Sequence, residues 1–149
     1  MKTKFKDFLL YSLASVGAVS LLLSASNLKD DYYNEKTQVG TYSIAAAGGV
    51  VATLITSQLV TKKMDITMAM NGAIAGLVAI TAAPSAPSAG AALLIGAVGG
   101  IIVYFSIIGL DKRGIDDPVG AISAHGVVGI WGVMAVCFTG GSLFSQAVG

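Results

Sequence analysis

The sequence has very little charge: charged residues make up 11% of its 149 residues, whereas hydrophobic residues make up 54%. Ordinary soluble domains contain about 25% charged residues. This composition, with a mean hydropathy of +0.78, is typical of a protein embedded in a lipid bilayer. The net charge is only +1, and the basic residues form no run beyond the short group Lys2, Lys4 and Lys6. Nucleic acid is therefore not expected as a partner.

Cysteine and histidine are almost absent, with one residue of each. A single cysteine, Cys137, excludes an intramolecular disulfide, and one cysteine with one histidine is too few for a metal site of these ligands. The glycines lie inside apolar runs, without the strand and turn that a phosphate-binding loop requires. The sequence therefore predicts no enzyme activity, no cofactor and no metal site.

Long apolar runs are what the sequence does contain, and they predict an all-α, polytopic membrane protein with a single domain over residues 1 to 149. Five transmembrane helices are expected, over residues 8 to 28, 39 to 61, 65 to 83, 89 to 110 and 118 to 138. Residues 1 to 26 also resemble a secretory signal peptide, with small residues at 24 to 26. Because the apolar run is slightly long for a signal core, we predict a retained first helix.

The basic residues are distributed unevenly between the two sides of this predicted topology. Seven lie on the side of the amino terminus and only two, Lys29 and Lys36, on the other. The seven are Lys2, Lys4, Lys6, Lys62, Lys63, Lys112 and Arg113. By the positive-inside rule, the amino terminus is expected in the cytoplasm and the carboxyl terminus outside.

Glycine recurs in the apolar runs at spacings that allow two helix backbones to approach closely. These glycines are expected at helix contacts and not toward lipid, and Asn71, beside one of them, is expected to be buried in protein. The set consists of Gly72, Gly76, Gly96, Gly100, Gly129 and Gly132.

The most informative stretch, residues 115 to 132, opens with Asp116, Asp117 and Pro118 and then becomes apolar around His125, the only histidine. Asp117 is expected to cap a helix whose first turn contains Pro118, with Asp116 favourably placed near its positive end. His125 would then lie about 10 Å along that helix, inside the hydrocarbon layer. A histidine there indicates function, or else a hydrogen bond across a helix contact.

Two motifs resemble those of the ammonium transporter family. One is the acid-acid-proline start followed by the His125-Gly126 pair, and the other is Asn-Gly-Ala-Ile-Ala-Gly-Leu-Val-Ala-Ile-Thr, which ends at Thr81. The resemblance covers roughly residues 41 to 140 and corresponds to the second five-helix repeat of the family, helices six to ten. It implies a chain in the fold of one of two inverted repeats.

The resemblance also implies a function, which is conduction of ammonium as ammonia through an apolar pore past two paired histidines. His125 matches one of them, and the other belongs to a helix of the first repeat. Thr81 and Trp131 match residues of the pore path, although such a threonine can bond to the turn behind it and such a tryptophan is more often a packing residue.

Three interpretations stay open at this point. The chain is a half-transporter that contributes one wall and one pore histidine, with ammonium or ammonia as substrate and another membrane polypeptide or oligomer as partner. Alternatively, it is a repurposed, non-conducting structural or assembly subunit of a larger membrane complex. The third possibility is an incomplete fragment.

Overall fold

The computed structural model describes residues 33 to 142 together with Phe144 and Val148, and it describes side chains from Gln38 onward. The described residues form helices and no strands, which confirms the all-α prediction. The helices are α1 (Tyr33–Val60), α2 (Ile66–Ile80), α3 (Ala89–Lys112), a π-helical segment (Ile122–Val127), α4 (Val128–Ala135) and a 3-10 turn (Val136–Thr139). The predicted first span lies outside the described residues, so the count of five helices stays a prediction.

Three of the apolar helices are long enough to cross a membrane: Gln38–Val60, Ala89–Lys112 and the continuous helix Ile122–Thr139. The exception is α2, whose 15 residues extend about 22 Å against a hydrocarbon layer of about 30 Å. It ends before the boundary expected at Ala83. The N–H groups of Thr81 and Ala83 bond to carbonyls only three residues back, at 3.2 and 3.3 Å, and Pro84 follows and cannot continue a helix.

Polar side chains fix the starts of α2 and α3. Asp65 accepts a hydrogen bond of 2.7 Å from the N–H of Thr67, and Ser88 accepts one of 3.3 Å from the N–H of Ala91. Each of these bonds satisfies an N–H group that has no partner inside its own helix. The ends of apolar helices are therefore set by the few polar residues that separate the apolar runs.

Close backbone contacts show how the helices run. Gly72 and Gly76 of α2 lie against Thr53 and Ala45 of α1, so α1 and α2 are antiparallel. The contacts of α3 run in the opposite sense: Gly96 lies against Ala45, and Gly100 lies against Gly49 and Thr53. Hence α1 and α3 are parallel, and their carboxyl ends lie at the same end of the bundle.

These glycines allow the three backbones to touch. A Cβ atom added to Gly76 or Gly96 would overlap the carbonyl oxygen of Ala45, and one added to Gly100 would overlap that of Gly49. Small side chains, among them Ala75 and Ala92, fill the core between the helices. Because lipid offers no hydrophobic drive between helices, van der Waals contact at such short range stabilises the bundle.

The hydroxyl of Thr53 adds a polar contact inside this interface. It lies 2.7 Å from the carbonyl oxygen of Gly49, as expected for a threonine that bonds to its preceding turn, and 2.8 Å from that of Gly100 on α3. Ser43 likewise donates to the carbonyl of Val39 at 2.8 Å. Of these two hydroxyls, that of Thr53 also joins two helices, and its side chain is fully buried.

All charged residues between 38 and 142 lie at one end of the bundle. They are Lys62, Lys63, Asp65, Asp111, Lys112, Arg113, Asp116 and Asp117, and all of them stand where α1 and α3 end and where α2 and the fourth helix begin. The opposite end is formed by the start of α1 and the 81 to 88 loop, which are joined where Thr41 donates to the Pro84 carbonyl at 2.6 Å. Between residues 38 and 142, the charged side chains are therefore confined to one end of the bundle.

Candidate functional site

The helix that carries His125 begins later than the sequence predicts. Its helical backbone starts at Ile122, whereas Pro118 was expected in its first turn. Asp117 to Gly120 instead form a turn closed by a hydrogen bond of 2.9 Å from the Gly120 N–H to the Asp117 carbonyl. Gly120 has φ +70, a conformation that favours glycine and interrupts a helix. Pro118 lies in this turn and is exposed.

Asp117 nevertheless caps the helix, by reaching across the turn. Its carboxylate accepts hydrogen bonds from the N–H groups of Ile122 and Ser123, at 3.1 and 3.0 Å. Burial raises the pKa of Asp117, but the hydrogen bonds from Ser123 and Ile122 favour the charged form and bring the pKa below its ordinary value. A buried charge is thus held at the start of the helix, at its positive end. Asp116 is exposed.

Gly120 also makes room for α2. A Cβ atom on Gly120 would lie 2.5 Å from the side-chain oxygen of Asn71. Asn71 is buried, as expected, and donates to the carbonyl of Thr67 at 3.2 Å. The absence of a side chain at Gly120 therefore allows this turn to pack against α2. The helix that follows the turn and carries His125 is called the histidine helix below.

A polar cavity of about 160 Å³ lies beside this turn. Its lining comes from three parts of the fold: Thr67, Met68 and Asn71 of α2, Ile107 and Asp111 of α3, and Asp116, Asp117, Pro118 and Gly120 of the turn. Among the described residues, no three acidic, histidine or cysteine side chains are grouped as metal ligands. The cavity places oxygen atoms at the charged end of the histidine helix.

His125 lies in the middle of the π-helical segment and is exposed. A π-helix closes its backbone bonds five residues apart, and such segments occur mostly as single turns inside α-helices, frequently at functional sites. The Nδ1 atom of His125 lies 3.3 Å from the carbonyl oxygen of Ala121. Because a carbonyl oxygen can only accept, this contact requires the hydrogen on Nδ1 and leaves Nε2 of the neutral ring as an acceptor.

The glycines around His125 do not all behave as expected. Gly132 contacts α2, since a Cβ atom there would lie 2.9 Å from the carbonyl of Val78. Gly129 does not: within the described part of the chain, nothing lies within 4 Å of a Cβ atom at Gly129 or at Gly126. A helix contact at Gly129 therefore stays a prediction, since none of the described residues makes it. Both glycines lie in α4, where residues three positions apart are turned by about 60° from each other, so Gly132 can contact α2 while Gly129 does not.

An exposed face follows, centred on His125, Gly126 and Gly129. Exposed apolar side chains surround it, including Ile122 at 50% and Ile130 at 65%. Its small residues and single imidazole leave space for a neighbouring structure to approach the ring closely. We call the surface formed by Ile122, His125, Gly126, Gly129 and Ile130 the histidine face.

The other two residues predicted on a pore path use their polar hydrogens inside the chain. The hydroxyl of Thr81 donates to the carbonyl of Val78 at 2.7 Å. The indole N–H of Trp131 donates to the carbonyl of Ile95 at 3.1 Å, and its ring packs against the core and, at 6.2 Å between centroids, against Phe138. Of the three predicted path residues, His125 is the one that keeps a ring nitrogen on an exposed face without a hydrogen-bond partner among the described residues.

Sequence reasoning missed the contact between Ser106 of α3 and Ser123 of the π-helical segment. The hydroxyl of Ser106 donates to that of Ser123 at 2.9 Å, and Ser123 is completely buried. A serine within an apolar run indicates a polar contact, since a hydroxyl in lipid needs a partner. The run itself does not say which residue that partner is.

A comparison with known families finds that the Ammonium Transporter Family model matches residues 23–144. The chain is similar to "Ammonium transporter Amt2" of Archaeoglobus fulgidus, with 43% identity over 94 residues, which is 63% of this chain and 20% of the relative. An "Ammonium transporter" of Bacillus subtilis is 38% identical over 92 residues, 61% of this chain and 23% of the relative.

A third relative, an "Ammonium transporter" of Corynebacterium glutamicum, is 34% identical over 110 residues, 74% of this chain and 24% of the relative. The chain thus spans about a fifth of the length of the relatives it matches. No solved structure gives a significant match.

Proposed function

The chain belongs to the ammonium transporter family, and we propose that it supplies one wall and one histidine of a pore that conducts ammonium as ammonia. The histidine face carries this proposal. It presents the imidazole of His125 among exposed apolar residues and open glycines, as a pore wall with a proton-exchanging group requires. The rest of the wall then comes from other helices, whichever polypeptide carries them.

The chemistry follows from the difference between a cation and a neutral amine. Moving an isolated ammonium ion into an apolar environment costs far more than moving ammonia, which carries no charge. An imidazole exchanges protons near neutral pH more readily than other side chains. We assign the exchange to Nε2 of His125, because the contact with Ala121 occupies Nδ1.

Thr81 and Trp131 are proposed as parts of the wall and not as binding groups, since their polar hydrogens are already bonded within the chain. Asp117 and Asn71 fix the charged end of the histidine helix against α2 and are proposed as supports. The cavity beside them opens at the charged end, which we propose to face the cytoplasm.

The direct test is His125→Ala in the complex purified from cells and reconstituted into vesicles. His125 is exposed, and its side chain makes one hydrogen bond among the described residues. We therefore expect assembly to persist, with methylammonium uptake abolished or ammonium conduction converted to passage of the charged ion. Met70→Ala, at an exposed apolar position of α2, is the matched control and should conduct as the parent does.

The subunit content of that complex tests the half-transporter directly. A second polypeptide that places a buried histidine against the histidine face would support a two-part pore. A large assembly of unrelated subunits, with no uptake by the parent and loss of assembly in His125→Ala, would contradict conduction and favour the structural role.

A further inference from the structure

A pair of hydroxyl groups, that of the half-buried Ser106 and that of the fully buried Ser123, joins α3 to the π-helical segment. Ser106 lies on α3 and Ser123 lies at the second position of the segment, two residues before His125. Their oxygen atoms are 2.9 Å apart, with Ser106 as the donor. Among the side-chain hydrogen bonds of the described residues, this is the one that links α3 to the segment carrying the histidine.

Ser123 is held from two sides. Its hydroxyl accepts from Ser106 and bonds in turn to the carboxylate of Asp117, while its own N–H donates to the same carboxylate at 3.0 Å. Both Ser123 and Asp117 are buried, the first completely. A buried polar network whose members are all bonded is rigid, because any rotation would leave a polar group without a partner.

The π-helical segment needs such an anchor. The π-helix is a rare conformation, with one more residue per hydrogen-bonded turn than the α-helix. Ala124 and Val128 pack this helix into the core, and the bond from Ser106 adds a directional polar contact from α3. Within the described part of the chain, the side chain of His125 has one hydrogen-bonding partner, the Ala121 carbonyl one turn back.

We propose that Ser106 is a positioning residue for His125: through Ser123 its hydroxyl fixes the rotation of the π-helical segment and thereby the direction of the imidazole. This rests on the proposed function insofar as the imidazole works in conduction. The geometry itself does not depend on transport. Loss of the Ser106 hydroxyl frees the segment to turn about its axis, while the core contacts of Ala124 keep it in place.

The test uses the fact that His125 is the only histidine. The full chain is labelled with ¹⁵N-histidine, placed in lipid vesicles, and studied by solid-state NMR as the parent and as Ser106→Ala, Ser106→Thr and Ser43→Ala. Ser43 is the control because its hydroxyl bonds only to its own helix, at Val39. Methylammonium uptake is measured on the same four proteins.

We expect one set of imidazole resonances in the parent and in Ser43→Ala, and shifted or multiple sets in Ser106→Ala. Ser106→Thr keeps the hydroxyl and should restore the parental spectrum. Uptake should fall roughly 3- to 10-fold in Ser106→Ala, the effect of losing one hydrogen bond, and recover in Ser106→Thr.

An unchanged imidazole spectrum in Ser106→Ala would overturn the proposal, and so would failure of that variant to assemble, since the hydroxyl would then serve stability alone. A changed spectrum that Ser106→Thr restores, in a parent without uptake, would support the positioning role and count against conduction. The two proposals can therefore fail separately.

Discussion

At the scale of single residues, Asp117 shows how a buried carboxylate is kept charged at the edge of a membrane helix. Two backbone N–H groups and the Ser123 hydroxyl bond to it. Their effect on its pKa exceeds that of burial, so the pKa lies below its ordinary value. The carboxylate of Asp117 therefore stabilises the folded chain more when it is charged than when it is protonated.

We expect Asp117→Asn to lower the free energy of unfolding at neutral pH by about 0.5–1.5 kcal/mol, because the amide keeps one acceptor oxygen but loses the second, and with it the charge. Asp117 has a depressed native pKa, so its contribution is complete above the ordinary value of 3.8 and is lost as the pH falls through the lower native pKa. The difference between parent and variant should therefore shrink in acid.

Thermal unfolding in detergent between about pH 2 and pH 7 measures this difference. Asp116→Asn is the matched control, because Asp116 is exposed, and it should change stability by no more than about 0.5 kcal/mol. Equal stability of the parent and Asp117→Asn at neutral pH would contradict the capping role.

At the scale of helices, the contacts of α1 with α2 and α3 depend on glycine. The backbone of Ala45 is approached from two sides, by Gly76 and by Gly96. Any side chain at either position would separate two helices that contact each other through their backbones. Packing by direct backbone contact leaves no adjustable side chain that could absorb the change.

Gly76→Leu is accordingly expected to prevent assembly of the bundle. Gly90→Leu is the control, since a Cβ atom at Gly90 would meet nothing within 4 Å. Size-exclusion chromatography in mild detergent and resistance to limited proteolysis should separate the two variants. Monodisperse, protease-resistant Gly76→Leu protein would show that the α1–α2 contact tolerates a side chain.

At the scale of the whole molecule, the charge asymmetry favours one orientation in the membrane. Lys62 and Lys63 follow α1, and Lys112 and Arg113 end α3. Because α1 and α3 run parallel, both basic pairs lie at the same end. The positive-inside rule places that end in the cytoplasm, with the uncharged 81 to 88 loop outside.

We expect all copies to share this orientation, which would exclude a pore made of two inverted copies of the chain. Cys137 is removed and one cysteine is introduced at Ser85, in the uncharged loop, or at Ile115, at the charged end; both positions are exposed. In sealed vesicles, an impermeant maleimide should label the two proteins from opposite sides. Comparable labelling of Ser85→Cys from both sides would contradict a single orientation and support a pore made of two inverted copies.

The sequence by itself determined the membrane environment, the helical class, the boundaries of α3 and the importance of the 115 to 132 stretch. These follow from local properties: an apolar run long enough to span a bilayer must be helical, because lipid leaves the backbone no other partners. The same reasoning indicated that Asp117 would cap a helix and that His125 would lie inside the membrane.

Only the tertiary structure decided which way each residue of the histidine helix faces. The sequence predicted α-helical spacing from Pro118, whereas Gly120 breaks that helix and a π-helical segment follows. The close approach of Gly120 to Asn71 depends on α2, and the pairing of Ser123 with Ser106 depends on α3. These features depend on residues that are distant in sequence. A π turn is rare, and a buried hydroxyl is stable only when a neighbouring helix supplies its hydrogen-bond partner.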